Sequence, residues 1–234
     1  MISIKKGLYH LSIYSKKIDF ADYFIMASYT SFLGSRPVFF KKHEGKTSVI
    51  NLLEDMEKIS SNMKSNYRNE IKKAISLNID VKEETDVNEF IKYYNNFAIK
   101  RGLSPINEYN VTKYPKYVIF KASLDGSVLT YHVHIYDEEE KIVRLLYSAS
   151  NRLDDSIDTK AVGFANKYLH YKEFEYFKAQ GLEQYDFAGV CDNPEDKAKY
   201  GIGLFKKGFG GEMIETVSYD SPLMAIAIKI KELF

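Results

Sequence analysis

The feature that most constrains the fold of this 234-residue chain is a run of three predicted strands between residues 117 and 149. Apolar and polar residues alternate along this run, and each change of direction carries a turn signal. The pair Asp125-Gly126 suits a two-residue hairpin turn, and residues 137–141 are all charged. Three strands joined by such short turns predict an antiparallel meander over residues 117–122, 128–136 and 142–149.

The middle strand of this meander carries two of the chain's five histidines, His132 and His134. Because side chains alternate between the two faces of a strand, both histidines lie on the same face. Two histidines at this spacing can bind a metal, but no third ligand is evident nearby, so we predict no metal site. They are either solvated or buried residues without a chemical role, or residues that bind substrate or transfer protons. On the neighbouring strand, the same alternation predicts a common face for Arg144 and Ser148, two further candidates for substrate binding.

The order of predicted elements indicates an α+β fold. From residue 79 onward it reads strand, helix, meander, helix, strand, helix, strand and helix, which is typical of a mixed, mostly antiparallel sheet flanked by helices. Residues before this region carry several short predicted strands and one long or broken helix. We therefore predict an N-terminal α/β extension or partial subdomain over residues 1–60, packed on a main domain over residues 61–234.

Composition excludes several classes of protein. The formal net charge of +1 gives no general attraction to nucleic acid or membrane surfaces. The single cysteine, Cys191, cannot form an internal disulfide, which favours a reducing compartment. No apolar run approaches the ~20 residues that span a bilayer, and the N-terminus has no signal-peptide pattern. We therefore expect a cytoplasmic protein without a membrane span; its oligomeric state does not follow from the sequence.

Five of the thirteen glycines fall between residues 200 and 212. The same segment holds Phe205, Lys206 and Lys207. One interpretation is a helix end followed by a tight turn, with both lysines in solvent. The other is that a lysine on this glycine-rich segment meets a phosphate, a carboxylate or a developing oxyanion.

A basic stripe precedes the main domain's first predicted strand. Lys64, Arg68 and Lys72 recur at every fourth position and so share one face of a helix. Such a stripe is either a solvent-exposed face of the helix or a surface that binds a phosphate-bearing substrate.

Three segments, in this order, resemble the Fem family of aminoacyltransferases and their single-domain relatives within the GNAT superfamily. The first is the helix motif Tyr67-Arg68-Asn69-Glu70-Ile71-Lys72-Lys73-Ala74. The second contains Asn166-Lys167-Tyr168-Leu169-His170-Tyr171, followed by Tyr185-Asp186-Phe187-Ala188-Gly189-Val190. The third is the glycine-rich segment 200–212, which resembles the family's Phe-Lys-x-Gly-Phe-Gly-Gly. The resemblance covers roughly residues 60 to 220 and implies a GNAT-like fold.

The resemblance also implies an activity, the transfer of an acyl group to an amine. It places a functional lysine at Lys206, which stabilises charge during transfer, beside Phe205 as a substrate contact. Within the resembling segments we further assign Asn166, His170, Arg68 and Lys72 to substrate binding.

The proton of the attacking amine needs an acceptor. His132 and His134 are candidates because imidazole titrates near neutrality. Asp186 is another, because its predicted strand is apolar and burial can raise the pKa of a carboxyl group; alternatively, Asp186 caps a nearby turn.

We expect the donor to be acyl-CoA, most simply acetyl-CoA, with its pyrophosphate at the N-terminus of the helix predicted over residues 160–179. The expected acceptor is an amino sugar or nucleotide-linked sugar of cell-envelope or polysaccharide biosynthesis, with Arg68, Lys72 and Arg144 available for phosphates. Two other readings stay open. One is a transferase that uses aminoacyl-tRNA to extend a peptidoglycan precursor; the other is a binding module without catalysis.

Overall fold

The computed structural model describes residues 1–154 and 157–231. Its strands are β1 (Ile2–Lys6), β2 (Tyr9–Ile13), β3 (Met26–Thr30), β4 (Lys41–Asn51), β5 (Asp80–Glu84), β6 (Tyr117–Leu124), β7 (Ser127–Asp137), β8 (Ile142–Ser150), β9 (Gln184–Gly189) and β10 (Glu212–Asp220). Its α-helices are α1 (Met56–Asn62), α2 (Ser65–Ser76), α3 (Val87–Arg101), α4 (Glu108–Thr112), α5 (Thr159–Ala179), α6 (Lys197–Lys207) and α7 (Pro222–Lys231), with a 3-10 turn at Phe20–Phe24.

All ten strands belong to one sheet, in the order β1-β2-β3-β10-β4-β9-β8-β7-β6-β5. Within the described residues, only β2 with β3 and β8 with β9 pair in parallel. The predicted mixed, mostly antiparallel α+β architecture is therefore confirmed. Strand β4 of the N-terminal segment lies between β10 and β9. One sheet therefore contains strands from both sides of the boundary predicted at residue 60, and the division into two domains there stays a prediction.

Local sequence signals explain several of these boundaries. Asp125 and Gly126 both have positive φ, 50° and 80°, as the predicted hairpin turn requires. Helix α3 begins after Asp86, whose side chain accepts a hydrogen bond from the backbone N–H of Asn88. It ends at Gly102, which adopts the left-handed conformation.

Helices cover both faces of the central strands. Helices α2 and α5 pack on one face, around Phe174, Phe177 and Tyr185, and we call this the α5 face. Helix α3 covers the other face beside β7, around Phe90 and Tyr131. Strands β1 and β2 cover that second face further along, against Ile135 and Ile142. Strand β7 is therefore buried on both faces. Its alternation of apolar and polar residues predicted which side chains share a face, but not whether the polar face is exposed to solvent.

No helix in residues 1–154 or 157–231 has the length and apolarity that a membrane span requires.

Candidate active site

The register of three neighbouring strands determines which side chains meet. Ile135 of β7 lies opposite Arg144 of β8, and Arg144 lies opposite Asp186 of β9. Side chains at paired positions point to the same face of a sheet. Arg144 and Asp186 therefore lie on the face opposite α5, whereas Tyr185, the neighbour of Asp186 in the chain, points to the α5 face.

Asp186 is buried and accepts hydrogen bonds from four groups. The Arg144 guanidinium donates to Oδ2 over 2.7 Å, and the backbone N–H of Ala188 donates to Oδ1 over 2.7 Å. The hydroxyls of Tyr14 and Thr47 also donate to this carboxylate. Burial, with the neighbouring Asp186, raises the pKa of Tyr14 well above its usual value, so its hydroxyl remains a donor. Asp186 thus joins the N-terminal segment to the main domain.

Three of the seven non-glycine residues with positive φ in the described part of the chain lie around this carboxylate. Tyr14, Ser31 and Ala188 are non-glycine residues with φ values of 60°, 50° and 58°. Ser31 Oγ accepts a hydrogen bond from Arg144 over 3.2 Å. The positive φ of Ala188 is a conformation that glycine adopts without steric cost. Strained backbone of this kind persists where surrounding contacts fix it, and often at functional sites.

Lys206 lies in the last turn of α6, with its ammonium near the turn that follows β9. Nζ donates to the carbonyl oxygens of Gly189 over 2.8 Å and Ala188 over 3.5 Å. Burial lowers the pKa of Lys206 to about 8; Asp186 opposes this shift and Arg144 adds to it. Its neighbour Lys207 instead pairs with Asp192 at the surface.

Close packing of α6 brings Lys206 to this position. A Cβ on Gly203 would lie 2.6 Å from the carbonyl oxygen of Cys191, so the helix approaches that segment only because residue 203 has no side chain. After the helix, Gly210 has a φ of 78°, and a Cβ there would lie 2.1 Å from the carbonyl oxygen of Asn62. These glycines shape the backbone around Lys206.

Lys206 and Arg144 line a common cavity of about 510 Å³. Lys46 and Lys199 add two further cations at its wall, although each also pairs with an aspartate. Further lining residues carry hydroxyl groups: Thr30, Ser31, Thr47, Thr216 and Ser218. Val190 and Ile202 add apolar wall to the same cavity. Its cations and hydroxyls suit an anionic, polar group of a ligand.

Phe205 does not belong to this cavity lining. Its ring packs against Tyr67 and His170, with ring centroids 5.9 and 5.8 Å apart, and its carbonyl accepts a hydrogen bond from the Tyr67 hydroxyl. Phe205 therefore anchors α6 on the α5 face, and a substrate contact by Phe205 stays a prediction.

His132, His134 and His170 form a second cluster on the α5 face, around Glu173. His132 Nδ1 lies 2.6 Å from Glu173 Oε1, and His170 Nδ1 lies 3.0 Å from Oε2. His134 Nε2 lies 2.8 Å from the hydroxyl of Tyr185, which donates to Oε2 over 2.8 Å. We call these five residues the Glu173 cluster. All are at most 1% exposed, so His132 and His134 have no contact with the Lys206 cavity.

Burial controls titration in this cluster. It lowers the pKa of His134, and it lowers that of His170 to about 3, with Glu173 opposing both shifts. Burial alone would raise the pKa of Glu173, but the three surrounding histidines lower it well below its usual range. Burial and Glu173 raise the pKa of Tyr185 well above its usual value.

A bulge separates Arg144 from Ser148. Strand β8 pairs Leu145 with His134 but Tyr147 with Val133, so one extra residue interrupts the alternation. The prediction of a common face for Arg144 and Ser148 is therefore wrong: Ser148 lies opposite His132, and it is exposed.

The remaining predicted contacts lie on helices away from the cavity. Arg68 donates to the carbonyl oxygens of Ser61 and Met63, which ties it to the end of α1. Lys72 is exposed. Asn166 is half-buried on α5, and its Oδ1 is a buried atom without a hydrogen-bond partner among the described residues. The structure thus brings together Lys206, Arg144 and Asp186, and separately the three histidines.

The residues that complete both groups were not predicted from the sequence. Tyr14, Ser31 and Thr47 reach Asp186 and Arg144 from the N-terminal segment, more than a hundred residues away. Glu173 lies three positions after His170 on α5, a spacing that places both on one helix face. That spacing is the one signal that could have identified it.

The helix end expected to hold a donor pyrophosphate is already capped. The Asp158 carboxylate accepts a hydrogen bond from the backbone N–H of Lys160 over 2.9 Å. Nearby, β8 and β9 pair over three positions only, after which β8 continues without β9 beside it. Two parallel strands that separate in this way leave an opening between them.

Comparisons with known proteins support the architecture. No protein-family model matches the sequence, and no curated protein does. Among solved structures, FemX superimposes with a TM-score of 0.67 and 14% identity, over 98% of this chain and 85% of FemX. L-PGS from Bacillus licheniformis has a TM-score of 0.60 and 10% identity, over 98% and 84%. The C-terminal domain of an Agrobacterium fabrum protein described as a lysylphosphatidylglycerol synthetase gives 0.60 and 9%, over 98% and 84%. This chain therefore has the same fold as FemX and these two structures.

Proposed function

We propose that the protein is an acyltransferase that moves an acyl group onto an amine at the Lys206 cavity. The observation that carries this proposal is the position of Lys206. Lys206 is half-buried, its ammonium is hydrogen-bonded to carbonyl oxygens rather than to a carboxylate, and it lines the cavity beside Arg144. A fixed cation of this kind is suited to stabilise a developing oxyanion. The chain shares its fold with FemX, and the resemblance of its motifs to the Fem family implies acyl transfer.

In the proposed reaction, a neutral amine attacks the carbonyl carbon of a thioester. The carbonyl π electrons move to oxygen, and the Lys206 ammonium stabilises the resulting oxyanion. Collapse of this intermediate forms the amide and breaks the carbon–sulfur bond, and the proton of the amine goes to the departing thiolate or to water. No proton passes through His132 or His134, since both are buried on the other face of the sheet.

Asp186 acts in this scheme as a positioning residue. Its Oδ1 accepts the N–H of Ala188, and the carbonyl oxygens of Ala188 and Gly189 hold Nζ of Lys206. With four donors already bound, Asp186 has little capacity left to receive a proton from substrate. Its structural role is therefore favoured over the role of general base.

Acyl-CoA remains the proposed donor, with its thioester arm entering where β8 and β9 separate. The Asp158 cap occupies one N–H of the α5 terminus, so that helix end has one N–H group fewer to offer a pyrophosphate. For the acceptor, the cations and hydroxyls of the cavity favour an anionic, hydroxyl-rich amine such as a nucleotide-linked amino sugar.

One alternative is an aminoacyl donor. The Agrobacterium protein is described as a lysylphosphatidylglycerol synthetase, and lysyl is an aminoacyl group; the match covers 98% of this chain. If aminoacyl-tRNA is the donor, binding should weaken steeply as salt rises, because phosphate contacts release counterions.

The test is native mass spectrometry with a panel of acyl-CoAs and amino-sugar nucleotides, followed by turnover assays. Lys206→Met should lower kcat by about 10²–10³, as expected when an oxyanion donor is lost. Lys207→Met is the matched control, because Lys207 pairs with Asp192 outside the cavity, and it should retain near wild-type kcat. Undiminished transfer by Lys206→Met would refute the role of Lys206. Failure of every donor to be consumed would favour a binding module.

A further inference from the structure

Helix α7 is apolar on most of its surface, and none of its residues is buried. Its only charged side chains are Lys229 and Lys231, in its last turn. The helix packs on β3 and on the 3-10 turn, where Met224 and Ile228 are half-buried. The opposite side carries three exposed apolar side chains: Leu223, Ile226 and Ile230. A helix that is hydrophobic all round belongs in a protein core or in a membrane, yet this outer side of α7 faces solvent.

Exposed phenylalanines lie beside the same helix. The 3-10 turn, which contacts α7, carries Phe20 and Phe24 at 78% and 66% exposure, with ring centroids 5.5 Å apart. Lys41 of β4 pairs with Asp220, two residues before α7. Phe39, which is 83% exposed, therefore lies near the start of the helix. We call these exposed side chains the α7 patch: Phe20, Phe24, Phe39, Leu223, Ile226 and Ile230. Exposed apolar surface of this kind marks a site of interaction with a protein or a membrane.

The free charges around the α7 patch are all positive. Four cations on its segments are exposed and have no ion-pair partner among the described residues: Arg36, Lys41, Lys229 and Lys231. The exposed or part-buried carboxylates of the neighbouring segments already have basic partners: Asp19 with Lys5, Glu44 with Lys42 and Asp220 with His43. The net charge of the whole chain is only +1, so this positive charge is a local property of the patch.

These charges favour a lipid surface over a second copy of the chain. In a two-fold interface the same patch occurs on both sides, so free cations would face free cations, and like charges in contact weaken association. An anionic membrane surface attracts each lysine or arginine near it. At 3.6 residues per turn, Lys229 and Lys231 border the outer side of α7 on its two edges. From there their methylene stems can follow the apolar surface while the ammonium groups reach the headgroups.

We propose that the α7 patch binds the surface of an anionic membrane. With 10 residues, α7 is about 15 Å long, half of the ~30 Å hydrocarbon thickness of a bilayer. The helix therefore lies in the plane of the interface, and its outer side enters the boundary between headgroups and acyl chains together with the phenylalanines. This inference does not depend on the proposed acyl transfer.

The test is vesicle flotation of the full chain, with vesicles of phosphatidylcholine alone and of an equimolar mixture with phosphatidylserine. We expect the wild-type chain to float with the mixed vesicles and to bind them at least about tenfold more tightly than the neutral ones, because four free cations meet anionic headgroups. High salt should reduce this difference by screening those charges. Absence of binding, or equal binding to both kinds of vesicle, would overturn the proposal.

A double variant locates the contact. Ile226→Gln combined with Ile230→Gln should weaken binding to the mixed vesicles at least about tenfold, since two apolar side chains no longer enter the membrane. Both isoleucines are more than half exposed, at 54% and 52%, so the fold does not rest on them. Ile99→Gln is the matched control, because Ile99 is an isoleucine of 74% exposure on α3, and it should bind as wild type does. Unchanged binding by the double variant would contradict the proposal.

Sedimentation without vesicles tests the competing occupant, a second copy of the chain. We expect the wild-type chain to sediment as a monomer, with the α7 patch free for the membrane. A wild-type dimer that the Ile226→Gln and Ile230→Gln double variant converts to monomers would mean that a second copy covers the patch, and the proposal would be overturned.

Discussion

Asp186 and Glu173 are two buried carboxylates on opposite faces of the same sheet, and they are compensated in different ways. Asp186 meets a permanent cation, Arg144, next to a cavity of about 510 Å³. Glu173 meets three imidazoles and a tyrosine hydroxyl at zero exposure. Adjacent residues of β9 serve both groups, since Tyr185 binds Glu173 while Asp186 faces the cavity.

This difference separates chemistry from stability within one fold. Around Asp186, water and ligand can reach the neighbouring Lys206, so charge there can change during a reaction. Around Glu173, no solvent is available, and every polar group depends on its neighbours. Substitutions in the first region should alter activity most, and those in the second should alter the free energy of unfolding most.

The largest effect should come from Glu173→Gln, which removes the charge at the centre of the cluster. Breaking a buried network of this kind costs about 3–5 kcal/mol in the free energy of unfolding. Glu175→Gln is the control two residues along α5, where the exposed pair with Lys172 is worth about 0–1 kcal/mol. Urea titration measures both. Equal losses of unfolding free energy in the two variants would show that the buried cluster contributes no more to stability than the Lys172–Glu175 pair.

Acid should destabilise the same cluster through His170. Burial lowers its folded pKa to about 3, below the ~6.5 of an unfolded chain. The unfolded state therefore binds more protons between these values, and stability falls as the pH drops below about 6.5. By pH 5 the loss attributable to His170 is about 2 kcal/mol.

The groups that face His170 are His132, His134, Glu173 and Tyr185, and they share this titration. Denaturation of wild type and His170→Gln at pH 7 and pH 5 isolates the contribution of His170. The variant should lose less stability over this interval. An equal loss in both proteins would remove His170 from the acid response.

At the Lys206 cavity, pH should change kcat through the charge of Lys206. Its pKa is about 8, so the ammonium that stabilises the oxyanion disappears as pH rises through that value. With an acceptor amine of low pKa, already neutral at pH 7, kcat should fall about tenfold per pH unit above 8. A rate that instead rises through pH 8 would make neutral Lys206 a proton acceptor rather than an electrostatic stabiliser.

The smallest effect concerns the strained turn beside Asp186. Ala188→Gly removes the Cβ from a residue with φ of 58°, which should stabilise the protein by about 1 kcal/mol. Ala122→Gly, in strand β6, should destabilise it by at least about 0.5–1 kcal/mol because no positive φ is relieved there. Thermal denaturation gives both signs, and destabilisation by Ala188→Gly would mean that the turn is unstrained.

Sequence patterns predicted the parts of this fold that depend on neighbouring residues. The meander, the Asp125-Gly126 turn and helix α5 follow from alternation, turn chemistry and a helix cap. Lys206, Arg144 and Asp186 were each selected as candidates, and the structure places them together. Their site roles stay predictions until activity is measured.

Other features depend on contacts that no local pattern contains. The bulge in β8 moves Ser148 to the other face without any glycine or proline to mark it. Ser31 and Thr47 reach the cavity, and Tyr14 reaches Asp186, only because the N-terminal strands join the same sheet. His132 and His134 are buried because α5 packs on β7, and alternation alone does not distinguish a buried polar face from a solvated one.

Alternation at Tyr185 and Asp186 has a consequence for how the chain folds. If β9 paired one residue out of register, Asp186 would enter the aromatic interior beside Phe174 and Phe177, and Tyr185 would face Arg144. Asp186 and Arg144 would then each be a charge without its partner, so this one change of register would cost free energy at both positions. Only the native alignment of β9 therefore satisfies both carboxylate networks, one on each side of the sheet.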